Sequence, residues 1–142
     1  MMKSKHPGTK LVYQFSLDDY IPKDHFLRLV DELVDFGFVR ELVKDFYSDR
    51  GAPSVDPVVI FKMSLLGYFY GISSERRLAE ECKYNLAFKW FLHYDIDEIP
   101  PDHSIFSKAR TRYGRQAFEQ FFAEIVRKCA DAELIDGSRI FV

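Results

Sequence analysis

Residues 56–71 read DPVVIFKMSLLGYFYG, and this stretch decides the fold. Asp56 followed by Pro57 is a strong helix start. The acid can cap the first turn, and proline at the first helical position lacks an N–H that would have no partner there anyway. Gly71 predicts the end of the helix. Everything between is apolar on nearly every side, so the helix offers water no face. Such a helix is normally surrounded by others, and we take it as the central member of a bundle. The apolar run from Val58 to Ile72 contains Lys62 and is shorter than the roughly 20 residues a membrane span needs. Protein, not lipid, is expected to cover it.

Working outward toward the N-terminus, Phe26, Leu29, Val30, Leu33 and Val34 recur at helical spacing after a start near Pro22-Lys23-Asp24. Asp31, Glu32 and Asp35 fall on the outer face. Gly37 breaks that pattern, and a short helix follows with Phe38, Val39, Leu42, Val43 and Phe46. Ser48 to Ser54 (SDRGAPS) reads as a loop. Residues 1–20 look extended and partly mobile, ending in the acidic SLDDY.

On the other side, Ser73 or Ser74 caps a helix that turns Leu78, Ala79 and Cys82 inward and Arg76, Arg77, Glu80 and Lys83 outward. Asn85 starts the short helix LAFKWFL, which holds the only Trp. The acidic loop DIDEIPP (95–101) comes next, and Asp102 caps a helix of different character, HSIFSKARTRYG. A last long helix, from about Arg115 to Ala132, places Phe118, Phe121, Phe122, Ile125, Val126 and Cys129 on one face. Asp136-Gly137 is a turn signal, and Arg139–Val142 begins a strand with nothing following to pair with it.

The expected fold is therefore all-α: a compact bundle of about six or seven helices with a helix-turn-helix-like C-terminal half, ending in a short orphan β-strand. Its parts are an extended arm (1–20), a helical domain (21–135) and the start of a strand (136–142).

Composition narrows the function. The 142 residues carry 20 basic and 22 acidic side chains for a formal net charge of −2. That balance argues against wholesale coating of nucleic acid and leaves room for a local basic patch. Cys82 and Cys129 are far apart and match no metal or redox spacing, so buried free thiols are expected. The N-terminal MMKSKHPGTK has no apolar stretch after its basic residues and is not a secretory signal. A cytoplasmic, nucleoid-associated protein without membrane contact is the expectation.

Catalysis finds little support. The paired carboxylates Asp18-Asp19 and Asp95/Asp97/Glu98 sit in loops or on surface positions without a convergent partner. His6, His25, His93 and His103 are scattered and form no ligand pair, and no Gly-rich phosphate loop exists. Ser73, Ser74, Ser104 and Ser107 read as caps or surface hydroxyls. No catalytic residue, metal ligand or cofactor is assigned.

One segment does point to chemistry. From His103 to Arg115 there are four basic residues and no acidic one. Ile105, Phe106, Ala109 and Tyr113 fall on one stripe and would pack inward. Ser104, Ser107, Lys108, Thr111, Arg112 and Arg115 then fall largely on the opposite face, with Arg110 beside them. Hydroxyls interleaved with Lys and Arg suit a helix in the major groove of duplex DNA: hydroxyls and Lys take phosphates, and Arg forks onto guanine. Lys108 is the first choice for a phosphate contact and Arg112 for a base contact. Arg76 and Arg77 are candidates for further phosphate contacts, with a solvated face as the alternative. A plain interaction module, a helical dimerisation unit with no useful DNA affinity, is the competing reading.

The segments SVDPVVIFKMSLLGYFYGISSERRLAEE, NLAFKWFLHYDID and PPDHSIFSKARTRYG resemble the N-terminal region of bacterial insertion-sequence transposases of the DDE type, whose catalytic domain is RNase-H-like. SLDDYIPKDHFLRLVDELVDFGFVRELV resembles that region's opening helices, so the likeness runs from about Ser16 to Val142. It implies recognition of the element's terminal inverted repeats in double-stranded DNA during transposition, a DNA recombination reaction, with transposase dimerisation as a second role. It also implies that a segment similar to LIDGSRIFV is followed by the strand carrying the first catalytic Asp. On that expectation the chain is truncated before the acidic triad and is not an enzyme by itself. Mg2+ would serve only the missing catalytic domain, where such carboxylates hold two metal ions.

Overall fold

The computed structural model describes residues 1–47 and 55–133. Among them the regular structure is entirely helical: α1 (Leu17–Tyr20), α2 (Phe26–Leu33), α3 (Phe38–Val43) running into a 3-10 turn (Lys44–Phe46), α4 (Pro57–Tyr70), α5 (Glu75–Tyr84), α6 (Leu86–Leu92) and α7 (Ser104–Asp131). The SDRGAPS loop and the strand at 139–142 lie outside the described residues. No helix among the described residues is long and apolar enough to cross a membrane.

The helix that decides the fold forms where its sequence places it. The Asp56 carboxylate accepts a hydrogen bond from the Val58 N–H at 2.9 Å, and the helix stops at Gly71. Ile60, Phe61, Met63, Leu65 and Leu66 are buried, and α4 packs against α3, α5, α6 and α7. It is the hub of the bundle. Phe61 stacks on Phe118 with ring centroids 4.5 Å apart and meets Phe121 edge-on at 5.0 Å. Burying such a ring contributes about 1.5–3 kcal/mol. At Gly67 a Cβ would lie 2.8 Å from Leu78 Cδ2 and 3.2 Å from the Ile72 carbonyl. Glycine there is what lets α5 seat Leu78 against the hub.

The N-terminal part corrects the sequence reading in two ways. Residues 1–20 are not extended throughout, because Ser16 caps the one-turn α1 by accepting from the Asp19 N–H. Helix α2 starts at Phe26 rather than near Pro22, with His25 Nδ1 accepting from the Leu27 N–H. Its phase also differs: Leu27, Arg28 and Val30 are buried, whereas Leu29 is 38% exposed. The cause is Arg28. Its Nε donates to the Pro22 carbonyl at 3.0 Å and Nη2 to the Ile21 carbonyl at 2.8 Å. Nη1 meets Asp18 Oδ1 at 2.9 Å, and Nη2 also donates to the Asp18 carbonyl. The guanidinium lies over the Trp90 ring, 4.6 Å from its centroid. An arginine with this many carbonyl acceptors within reach turns inward and carries its helix face with it.

Helices α5 and α6 share one residue, Asn85, which ends the first and caps the second by accepting from the Phe88 N–H. Both cysteines are buried and free, and burial pushes the Cys82 thiol up to about 12. Helix α7 is two rods rather than one. At Gly114 the backbone takes φ 79° and ψ 169°, a conformation essentially reserved for glycine. The sequence reading of two helices meeting near Gly114 matches this break.

Candidate nucleic-acid interface

Residues 104–113, the first rod of α7, start from a dense cap. The Asp102 carboxylate accepts from the Ser104 N–H at 2.8 Å and from its hydroxyl at 2.6 Å. These bonds hold the Asp102 carboxyl below its usual value. Ser107 Oγ donates back to the Ser104 carbonyl at 3.1 Å. Phe106, Ala109 and Tyr113 anchor the rod in the core. Tyr113 packs against Phe61 and Phe46, and its hydroxyl shares a hydrogen bond with that of Tyr47. Burial first, and the Tyr47 hydroxyl second, raise the Tyr113 pKa.

With those three residues buried, the outward side is fixed. Ser107, Lys108, Arg110, Thr111, Arg112 and Arg115 are all exposed, and Ser104 is half-buried under its own cap. Ser107 and Thr111, four apart, form a ridge along the rod. Cations flank it on both sides. Lys108 and Arg112 border a small depression of about 160 Å3 with Tyr47 and Ile105. Arg110 and Arg115 border another of about 390 Å3 with Glu75, Phe118 and Phe122.

The cations differ in how they are engaged. Arg110 forks onto Glu75, with Nη2 to Oε1 at 3.1 Å and Nη1 on the other oxygen. That link ties the first turn of α5 to the middle of the rod, and with it the exposed Arg76 and Arg77. Arg112 lies 3.9 Å from the Tyr47 ring centroid and donates to the Phe46 carbonyl at 3.3 Å. Arg115 pairs with Glu119 at 2.7 Å while its side chain stays 91% exposed. Lys108 and Thr111 form no side-chain hydrogen bond or ion pair among the described residues, and the charge of Lys108 is felt only weakly, by Asp102. Periodicity could place these residues outside but could not see their partners, because Glu75 and Tyr47 lie 35 and 65 positions away in the chain.

A larger concavity lies elsewhere, and its charge is mainly of opposite sign. A cleft of about 680 Å3 is lined by Asp31, Glu32, Asp35, Asp56 and Glu98 together with Arg40, Lys62 and His93, and Arg40 pairs with Asp56 at 2.6 Å. Lys62 is 3% exposed, donates to the Phe91 carbonyl at 2.7 Å and lies 3.6 Å from Asp31. Burial lowers its pKa and, followed by the charge of Lys62, that of His93. Its five carboxylates outnumber the cations Arg40 and Lys62, so the cleft disfavours phosphate and volume does not mark a nucleic-acid site here. Among the described residues no group of His, Cys, Asp and Glu side chains could hold a metal ion.

The family described as "Transposase domain (DUF772)" matches residues 15–112, roughly two thirds of the chain. The match runs from the capping turn of α1 through the first rod of α7 and stops just before the Gly114 break. No curated protein and no solved structure matches the chain. On the strength of that match, together with the helical bundle it covers, the chain belongs to the transposase-domain family DUF772.

Proposed function

We propose that this domain serves transposition by docking on duplex DNA through the outward face of residues 104–113, recognising the ends of an insertion element. The observation that carries this is the ridge itself: hydroxyls and cations without an acidic residue from 103 to 118, held outward by three buried anchors. Lys108 and Thr111 take phosphates. Arg112 presents its guanidinium edge to a base while Tyr47 holds its plane. Arg110 acts as a strut that brings Arg76 and Arg77 toward the same duplex. Phosphoryl transfer is assigned to a separate DDE-type catalytic domain, so this part of the protein contributes recognition.

The test is a fluorescence-anisotropy titration against random-sequence duplex at low and moderate salt, then against a duplex carrying the parent element's end and a scrambled one. Salt-sensitive binding is expected, with preference for the end. Replacing Lys108 by Ala should reduce the magnitude of the salt slope of log Kobs by about one unit. Unchanged slope and affinity in that variant would remove Lys108 from the interface. Absence of any binding at low salt would overturn the whole reading.

A further inference from the structure

The positive charge of this chain is segregated. Residues 1–17 carry Lys3, Lys5 and Lys10 with no acid, and residues 103–118 carry Lys108, Arg110, Arg112 and Arg115 with no acid. Because the chain nets −2, the residues outside these two segments net −9. The second segment spans the rod already described and the start of the next, and three of its four cations have partners within the molecule, Arg110 with Glu75, Arg112 with Tyr47 and Arg115 with Glu119. A strongly acidic body with so few free cations on one helix makes a poor ligand for a polyanion.

The first segment supplies what the rod lacks. Every residue from 1 to 16 is exposed and free of regular structure. Its lysines make no ion pair among the described residues, and Lys10 rests only against the ring of Tyr13, 5.1 Å away. The segment is rooted at its end, where Phe15 meets the Tyr20 ring at 5.7 Å and Ser16 caps α1. Asp18, just past its end, is held by Arg28 and by the Trp90 indole N–H at 3.1 Å. Fifteen extended residues reach on the order of 50 Å, well beyond the ~15 Å length of the ten-residue rod. The arm therefore has the length to follow a duplex seated on the rod.

We infer that residues 1–13 are a second DNA-contacting element, an extended arm whose Lys3, Lys5 and Lys10 lie along the phosphate backbone of the duplex that the rod engages. Contact of this kind is independent of sequence and works through release of counterions. It rests on the proposed function, and the test separates the two.

The experiment measures the salt slope of log Kobs by anisotropy for the unaltered chain, for the triple variant Lys3→Ala/Lys5→Ala/Lys10→Ala, for the corresponding triple Lys→Arg, and for Lys108→Ala. The arm variants leave Ser16, Asp18 and Arg28 untouched, and circular dichroism checks that the helices persist. The alanine triple should reduce the magnitude of the slope by about 2 to 3 units, and the arginine triple should restore it. In parallel, saturating duplex should protect Lys3, Lys5 and Lys10 from an amine-acetylating reagent read by mass spectrometry. An alanine triple with unchanged slope, beside a Lys108→Ala that lowers it, overturns the arm and leaves the rod standing. No binding by the unaltered chain overturns both.

Discussion

Two groups of cations on this molecule have opposite fates. Arg28, Lys62 and Lys89 are buried at 9%, 3% and 4% exposure, and each spends its donors on backbone carbonyls. Lys89 gathers the carbonyls of Asp95, Ile96 and Glu98, ordering the acidic loop before α7. Lys62 takes that of Phe91, and Arg28 those of Asp18, Ile21 and Pro22. Lys108, Arg112 and Arg115 instead stand outside, with donors to spare. A buried cation must be fully satisfied or the fold suffers. An exposed one costs the fold little and stays available to a ligand. The difference teaches which positive charges are structural and which can serve an external anion, something net charge conceals.

The sharpest way to break that comparison is at Arg28. Arg28→Ala strands three carbonyls and frees α1, so a loss of about 3 kcal/mol is expected in urea unfolding. Trp90 emission should shift as its stacking partner leaves. The hydrogen bond from Arg28, then that from Trp90, holds the Asp18 carboxyl below the ordinary aspartate value of 3.8. A carboxyl depressed on folding stabilises above its unfolded pKa, so the contribution of Asp18 should fade only as the pH falls below about 3.8. Equal stability of Arg28→Ala and the unaltered chain would mean that Arg28 is decorative. Next in size is Gly114→Ala. Alanine cannot rest at φ 79°, ψ 169°, and a loss of about 2 kcal/mol is expected. The effect sharpens the comparison because this joint sets the angle between the cationic rod and the rod that follows it. A neutral result would show that the two rods can fuse.

Much of this was legible in the sequence. The all-round apolar run at 58–70, its Asp-Pro start and its Gly stop fix the hub, since caps and periodicity are local signals. The outward set at 107, 108, 111 and 112 followed from the same local geometry. What escaped reading was the phase of α2. A stripe of Phe26, Leu29 and Leu33 fits helical spacing, but an arginine that finds carbonyls ten residues upstream and an indole sixty-two downstream rotates the face. The engagement of Arg110 by Glu75 and of Arg112 by Tyr47 was hidden for the same reason. Long-range partners leave no period.

Lys62 offers a smaller effect of opposite sign. Burial lowers its pKa from 10.5 against the smaller opposing influence of Asp31. A lysine whose pKa falls on folding costs the fold most where both states are protonated. That cost shrinks as pH rises from the lowered value toward 10.5, because there the unfolded chain binds more protons. Lys62→Met keeps the stem, drops the charge and should gain roughly 1 kcal/mol at neutral pH. The advantage over the unaltered chain should narrow in alkaline urea titrations. A loss of several kcal/mol would instead show that the bond to the Phe91 carbonyl outweighs desolvation.

The smallest effect is the most telling. Lys108→Ala should leave unfolding within about 0.5 kcal/mol of the unaltered chain, since no described partner loses a bond. The same variant should blunt the salt dependence of duplex binding, whereas Lys62→Met should leave that dependence unchanged. Stability and binding would then be carried by separate cations, buried in one case and presented in the other. If Lys108→Ala unfolds the chain more easily and leaves binding intact, the rod is another structural face, and the division between the two groups disappears.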